Sequence, residues 1–251
     1  LKAGCAYVPL DPTYPADRLS YIGKDSGLAL VLTQQLHRDA LECDVPAVCL
    51  DDGIFQEQLC THATDDVDEV QGLSPQTPAY VTYTSGTTGR PNGVAVPHCS
   101  AVNLVHCSLP ILGLSRDSRV LQFATLNFDA ASWEWPMALL TGASLHICPR
   151  RTMTSPDALS EFLIEQRITH AVLPPALLAY MQPDRPYSLQ MLMVGGEACE
   201  TTSAWKWAER WRLLNGYGPT EATVCATIGV GWGRPGFTGD VERIAVLADV
   251  G

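Results

Sequence analysis

Basic residues are scarce in this chain: 16 Lys and Arg stand against 27 Asp and Glu, for a formal charge of −11 over 251 residues. No five-residue window is dominated by Lys or Arg, so nothing draws the chain to a nucleic-acid backbone or an anionic membrane, and neither partner is expected. Long hydrophobic runs are absent too; none approaches the ~20 residues of a membrane-spanning helix. No charged segment followed by an apolar one opens the chain. The nine cysteines are odd in number and scattered, with no C-x-x-C pair and no paired Cys/His spacing of the zinc-binding kind. They read as reduced thiols in a cytoplasmic protein. An initiating methionine is also missing: the chain opens on Leu1 and runs straight into KAGCAYVPL, as a piece of something longer would.

What is present suits a folded enzyme. The apolar share is 46% and the charged share 17%, far from the signature of disorder. Short apolar runs at 29–33, 47–50, 79–84, 119–125, 144–148, 170–173 and 189–194 read as strands. Helical patterns at 15–24, 130–140 and 202–211 alternate with them. A further helix has its start written out, with Ser155 as cap, Pro156 in the first turn, and Leu159, Phe162 and Leu163 on one face. Repeated strand–helix units predict an α/β protein with largely parallel sheets and flanking helices, whose ligands lie beyond the carboxyl ends of the strands. The acidic, proline-bearing stretch 61–78 reads as a solvated connector. Trp205, Trp207 and Trp211 read as packing residues.

Two stretches carry chemistry. In YTSGTTGRPNGV (83–94) a strand ends near Thr84, and the chain turns through Gly86 and Gly89, which can take positive φ and aim backbone amides at an anion. Thr84, Ser85, Thr87 and Thr88 add hydroxyl donors. This is not the G-x-x-x-x-G-K-[ST] loop, because no lysine follows the second glycine and Arg90 is the only cation. In NGYGPTE (215–221) two glycines and a proline hold an aromatic ring, a hydroxyl and a carboxylate together. Tyr217 could stack on a purine, Asn215 could read an amide-like edge, and Glu221 could hold Mg²⁺.

LKAGCAYVPLDPTYPADRL (1–19), AYVTYTSGTTGRPNGV (79–94), FDAASWEW (128–135) and NGYGPTEATV (215–224) resemble, in order and spacing, the core motifs of the adenylate-forming ligases. Within that group they are most similar to the adenylation domains of nonribosomal peptide synthetases. The resemblance covers 1–228, a partial core, and leaves 229–251 as a divergent or truncated tail, with the lid subdomain that ends such domains absent. It implies attack of an amino-acid carboxylate on the α-phosphate of ATP. It places the triphosphate over Thr84, Ser85, Gly86, Thr87, Thr88 and Gly89. Adenine would lie between Tyr217 and the Gly195–Gly196 backbone, with Asn215 at its amino edge. Thr220 would touch the α-phosphate and Glu221 would hold Mg²⁺. Asp129 would pair with the substrate ammonium, although capping a helix is an alternative for it.

The remaining pocket positions by resemblance are Ala130, Trp133, Ala176, Met193, Gly195, Gly216, Val224 and Cys225. None is charged, and the small residues among them are expected to leave volume for a large apolar or aromatic side chain. A carrier domain bearing phosphopantetheine and a condensation domain are the implied partners. Two departures qualify this expectation. Asn92 stands where the resemblance calls for lysine, which implies slower turnover at near-normal ATP affinity. The ribose-binding aspartate has only a displaced counterpart, Asp240 in TGD (238–240). The isolated chain is expected to be inactive. Rival expectations are an acyl- or aryl-CoA ligase and a non-catalytic ATP-binding protein.

Overall fold

The computed structural model describes residues 1–40, 44–65, 67, 70–85 and 89–230, and the backbone of 244–246. Within the span that reads as one core, the chain divides into two compact units, Leu1–His98 and Cys99–Gly251.

The first unit holds α1 (Ala16–Asp25), β1 (Val31–Thr33), β2 (Ala47–Cys49), α2 (Gly53–Leu59), β3 (Pro78–Thr84) and β4 (Asn92–Pro97). β1 and β2 pair in parallel. β3 and β4 form an antiparallel hairpin in which Thr84 faces Asn92. Of the stretch 83–94, Asn92, Gly93 and Val94 are strand. The reason is hairpin pairing: β4 finds its hydrogen-bond partners in β3. The described part of 61–77 forms turns without helix or strand.

α3 (His98–Leu112) leads into the second unit, followed by β5 (Arg119–Gln122), α4 (Ala131–Thr141), β6 (Ser144–Ile147), α5 (Arg150–Met153) and α6 (Pro156–Glu165). Next come β7 (His170–Leu173), α7 (Pro175–Leu178), β8 (Met191–Gly195), α8 (Thr201–Ala208), β9 (Leu213–Tyr217), β10 (Thr227–Val230) and β11 (Ile244–Val246). α6 starts as its sequence dictates, with the Ser155 hydroxyl accepting from the Ala158 N–H at 3.3 Å and Pro156 at its first position. α4 stops at Gly142, whose φ of +75° ends the helix in the left-handed region.

The strands form one sheet in the order β11-β10-β9-β8-β7-β5-β6. β6, β5, β7, β8 and β9 run parallel, and β10 and β11 are antiparallel additions. β8 is buried on both faces, as a central parallel strand must be, which is why it reads as the unbroken apolar run MLMV. Met191 and Met193 point into a cluster with Leu104, Leu112, Trp133 and Met137 of α3 and α4. Leu192 and Val194 point the other way, into a cluster with Leu159 and Leu163 of α6 and Ala204 and Trp207 of α8. Helices therefore cover both faces, and each fully buried Leu, Met or Val contributes about 1.5–3 kcal/mol. Trp207 packs as expected: it is 1% exposed, donates to the Leu178 carbonyl at 3.3 Å, and lies 5.7 Å from the Tyr187 ring.

β9 extends further than the sequence reading allowed. Asn215, Gly216 and Tyr217 belong to the strand, paired through Val194↔Asn215 and Gly195↔Gly216, so the turn begins only at Gly218. One further feature positions the site. β5 lies between β6 and β7, so the order of strands reverses between β5 and β7, and such a reversal is where a doubly wound sheet opens a crevice for ligands.

Candidate functional site

The segments leaving the carboxyl ends of β5 and β7 flank that reversal, and they carry Asp129–Ala130 and Ala176 respectively. After β5 the chain turns, with the Phe128 N–H donating to the Thr125 carbonyl at 2.9 Å, and delivers Asp129 just before α4. The Thr220 hydroxyl and the Ala130 N–H lie close enough to the Asp129 carboxylate to favour its charged form. Burial pushes its carboxyl above the usual carboxylate range, those two donors pull it back, and the nearby Glu221 charge pushes it up again. The two motifs, far apart in sequence, thus meet at Asp129, Thr220 and Glu221. Two carboxylates at close quarters, one of them reluctant to ionise, form a place that a cation would relieve. The helix-cap alternative is not met: Ala130 stands at the cap position of α4, which starts without a side-chain cap.

Thr220 and Glu221 sit in a 3₁₀ turn, Thr220–Ala222, inside a tight loop closed at its neck by the Ala226 N–H donating to the Tyr217 carbonyl at 2.9 Å. Beyond the turn, Thr223 and Val224 have φ of +60° and +66°. The left-handed region is strained for any β-branched residue, and two in succession mark stored strain beside the carboxylates. Gly218 is forced by the same crowding, since a Cβ there would lie 2.5 Å from the Ala226 nitrogen.

At the ends of β8 and β9 the pairing sets Val194 against Asn215 and Gly195 against Gly216, with Gly196 and Tyr217 the next residues on each chain and Tyr217 71% exposed. An exposed aromatic face beside bare glycine backbone suits a flat ring. Trp133, Met193 and Cys225 lie together in one buried cluster at 3%, 1% and 2% exposure, with Val224 packed against it. Burial raises the Cys225 thiol to about 11, so it stays neutral. The expectation that Gly195 and Gly216 leave volume is not met. The Met193 Sδ stands 3.2 Å and the Cys225 Sγ 3.4 Å from where a Gly216 Cβ would be, and the Gly216 carbonyl oxygen 2.7 Å from a Gly195 Cβ. The missing side chains make room for close packing. The Trp133 indole N–H is buried without a hydrogen-bond partner.

In the first unit, Thr84 ends β3, its hydroxyl 3.5 Å from the Asn92 carbonyl, and Ser85 follows. Gly89 has a φ of +84°, so that turn does use glycine's freedom. The Arg90 guanidinium is exposed, 6.0 Å from the centre of the Tyr21 ring. The Tyr83 hydroxyl donates to Asp25 at 2.7 Å, and burial followed by that bond raises its phenol strongly. Gly86, Thr87, Thr88 and Asp240 lie outside the described residues.

Two carboxylates escaped the sequence reading. Glu134 on α4 is 2% exposed and accepts the N–H groups of Phe123 and Ala124. Glu197 accepts the Ala176 N–H at 3.0 Å and so ties β8's exit to β7's. A signal for the first existed, since Glu134 is the lone acid in the apolar helical run AASWEWPMALL. Among the described residues no group of three or more His, Cys, Asp or Glu forms a metal site. A Mg²⁺ ion needs only one or two carboxylates beside phosphate oxygens, which Glu221 fits. No helix among the described residues is long and apolar enough to cross a membrane.

A family model for AMP-binding enzymes matches residues 1–246. Tyrocidine synthase 1 of Brevibacillus parabrevis is 38% identical over 251 residues, 98% of this chain and 22% of that protein. Chondramide synthase cmdD of Chondromyces crocatus is 40% identical over 228 residues, 91% of this chain and 6% of the synthase. Among solved structures, the nonribosomal peptide synthetase FmoA3 superposes with a TM-score of 0.79 at 28% identity, over 92% of this chain and 25% of that one. A four-domain nonribosomal peptide synthetase bound to AMP and glycine gives 0.74 at 29% identity, over 91% of this chain and 17% of that one. The chain therefore spans a quarter or less of these relatives.

Proposed function

The chain belongs to the AMP-binding enzymes, the family of ATP-dependent adenylate-forming ligases, and from that premise we propose that it is the amino-acid-activating core of a nonribosomal peptide synthetase adenylation domain. An oxygen of the amino-acid carboxylate attacks the α-phosphorus of ATP, the bond to the β-phosphate oxygen breaks, and aminoacyl-AMP and pyrophosphate result. The observation that carries this reading is the meeting of Asp129 with Thr220 and Glu221. Asp129 receives the substrate ammonium, which offsets the burial of its charge. Thr220, close beside Asp129, takes the α-phosphate, so ammonium and phosphate are oriented by neighbouring side chains. Glu221 holds Mg²⁺, which neutralises phosphate charge when bound.

Tyr217 and the Gly195–Gly196 backbone enclose adenine, and Asn215 reads its amino edge. Taken by itself, the first unit's loop of Thr84, Ser85 and Gly89, with Gly86, Thr87 and Thr88, suits phosphate oxygens. The side-chain pocket of Ala130, Trp133, Ala176, Met193, Gly216, Val224 and Cys225 favours a large apolar or aromatic amino acid, because nothing charged lines it and Met193 is a flexible filler that can move aside. The product passes to a carrier-domain phosphopantetheine, whose thiol sulfur displaces AMP, and a condensation domain uses the thioester. The isolated chain binds its substrates without turning them over. Asn92 supports a second reading, an ATP-holding protein without turnover, since an amide cannot neutralise a leaving pyrophosphate. An Asn92→Lys exchange that left the rate of a turnover-competent adenylation domain unchanged would remove that support.

The test is calorimetric binding of phenylalanine and of 3-phenylpropionate, which lacks the ammonium, to the chain. Phenylalanine should bind at least tenfold tighter, and Asp129→Asn should erase the difference. Equal binding of the two acids by the unmodified chain would favour a ligase for simple acids, and AMP-PNP binding without amino-acid binding would favour the second reading.

A further inference from the structure

Glu134 is the most deeply buried acid in the described chain, and no Lys, Arg or His there pairs with it. Burying such a polar group is costly unless it has work that an apolar side chain could not do. Its surroundings are mostly apolar: with Trp133, Met137 and Met191, and with the buried His170, it lines a cavity of about 20 Å³ under α4. Its two oxygens accept instead from backbone. The Phe123 N–H reaches Oε2 at 3.1 Å, and the Ala124 N–H reaches Oε2 at 3.0 Å and Oε1 at 3.3 Å.

Those two donors are the first residues beyond β5, which ends at Gln122. On one side β6 follows β5 for its whole length, up to Gln122↔Ile147. On the other side the pairing with β7 is confined to Val120↔His170, because the strands part there to open the crevice. Phe123 and Ala124 thus leave the sheet where a partner strand is no longer beside them, and the carboxylate supplies the acceptor that the sheet withholds. Five residues later the same segment delivers Asp129, and Glu134 stands on the helix that Asp129 precedes.

Resting on the reading of Asp129 as the ammonium partner, we propose that Glu134 is a positioning residue that fixes the segment 123–129 and thereby the placement of Asp129. It acts from α4 on the chain that leads into α4, closing the turn on itself. A carboxyl suits the place because both N–H donors converge on Oε2 and Ala124 also reaches Oε1, whereas a glutamine that keeps its oxygen at Oε2 turns an NH₂ toward the Ala124 N–H. An aspartate, one methylene shorter, cannot span from the helix to both amides.

The experiment compares the unmodified chain with Glu134→Gln and Glu134→Ala by amide hydrogen exchange and by calorimetric binding of phenylalanine and AMP-PNP. In Glu134→Ala the amides of 123–129 should exchange at least tenfold faster while those of 137–141 stay within twofold, and Glu134→Gln should fall between. Glu134→Gln should weaken phenylalanine binding about tenfold and leave AMP-PNP binding within twofold. Should Glu134→Ala fail to fold, Glu134→Gln decides. Unchanged exchange at 123–129 in Glu134→Gln, or a loss of protection spread evenly over α4, overturns the positioning role. Absence of phenylalanine binding by the unmodified chain would count against the proposed substrate instead, and the exchange data would then settle Glu134 by themselves.

Discussion

Gly195 and Gly196 are neighbours that must be glycine for opposite reasons, and substitution can separate them. An alanine at 195 would place its Cβ 2.7 Å from the Gly216 carbonyl oxygen, about 0.7 Å inside the 3.4 Å at which ordinary contact begins. The obstacle is backbone held in the ladder between β8 and β9, where Gly195 faces Gly216, so no side chain can swing away. Overpacking of this kind costs about 1–3 kcal/mol, and a strained or lost ladder bond adds about 0.5–1.5 kcal/mol. Gly195→Ala should therefore lose roughly 2–4 kcal/mol. In a chain of this size that lowers Tm by roughly 5–15 °C, measured by circular dichroism. At Gly196 nothing lies within 4 Å, and the demand is a φ of +85°. Gly196→Ala should cost about 1–2 kcal/mol, and Gly196→Asn less, because asparagine tolerates the left-handed region. Asparagine at 195 should be at least as damaging as alanine. The steric argument fails if Gly195→Ala melts within 2 °C of the unmodified chain, or if asparagine is the milder replacement at both positions.

Three further outcomes are expected. Burial pushes the Glu134 carboxyl up to about 8 against its backbone hydrogen bonds, so the folded state holds its proton where the unfolded state has lost it above about 4.5. The stability this contributes is complete below about 4.5 and lost as pH rises through about 8; urea midpoints should fall across that window, and Glu134→Gln should flatten the fall. Thr223→Gly relieves a left-handed β-branched residue, a gain of about 1–2 kcal/mol set against about 0.5–1 kcal/mol of added chain entropy. Chemical denaturation should show no loss, and a loss above 1 kcal/mol would contradict the strain assignment. Met193→Ala empties the space against Gly216 and should destabilise by about 2–5 kcal/mol, while calorimetry should show tryptophan gaining on phenylalanine as a ligand. Unaltered preference would dissociate Met193 from the pocket.

Features that depend on near neighbours were legible in the sequence. The Ser155–Pro156 start of α6 needs only residues within one turn, and the apolar run of β8 announces a doubly buried strand. The two motifs around Asp129 and Glu221 were each visible, because glycine, proline and hydroxyl spacing is local. Their meeting was implied only by the family resemblance and not by their local spacing, since it depends on the reversal of strand order between β5 and β7. Gly216 illustrates the same limit: alone it signals a turn, and only the closeness of Gly195 on the next strand makes it part of β9. Glu134 and Tyr83 escaped because their partners lie 10 to 11 and 58 residues away, and burial of a lone acid is a property of the assembled helix face.

The position of β5 also bears on how the chain reaches its folded state. The Arg119 N–H donates to the Thr169 hydroxyl at 2.8 Å across a separation of 50 residues, which span β5, α4, β6, α5 and α6. Joining β5 to β7 must therefore wait for that long loop to close, with an entropic penalty that local pairings such as β3 with β4 escape. The crevice beside Asp129 exists only once this late contact is made. A growing polypeptide consequently has no half-formed site to offer, and ligand recognition arrives together with completion of the sheet.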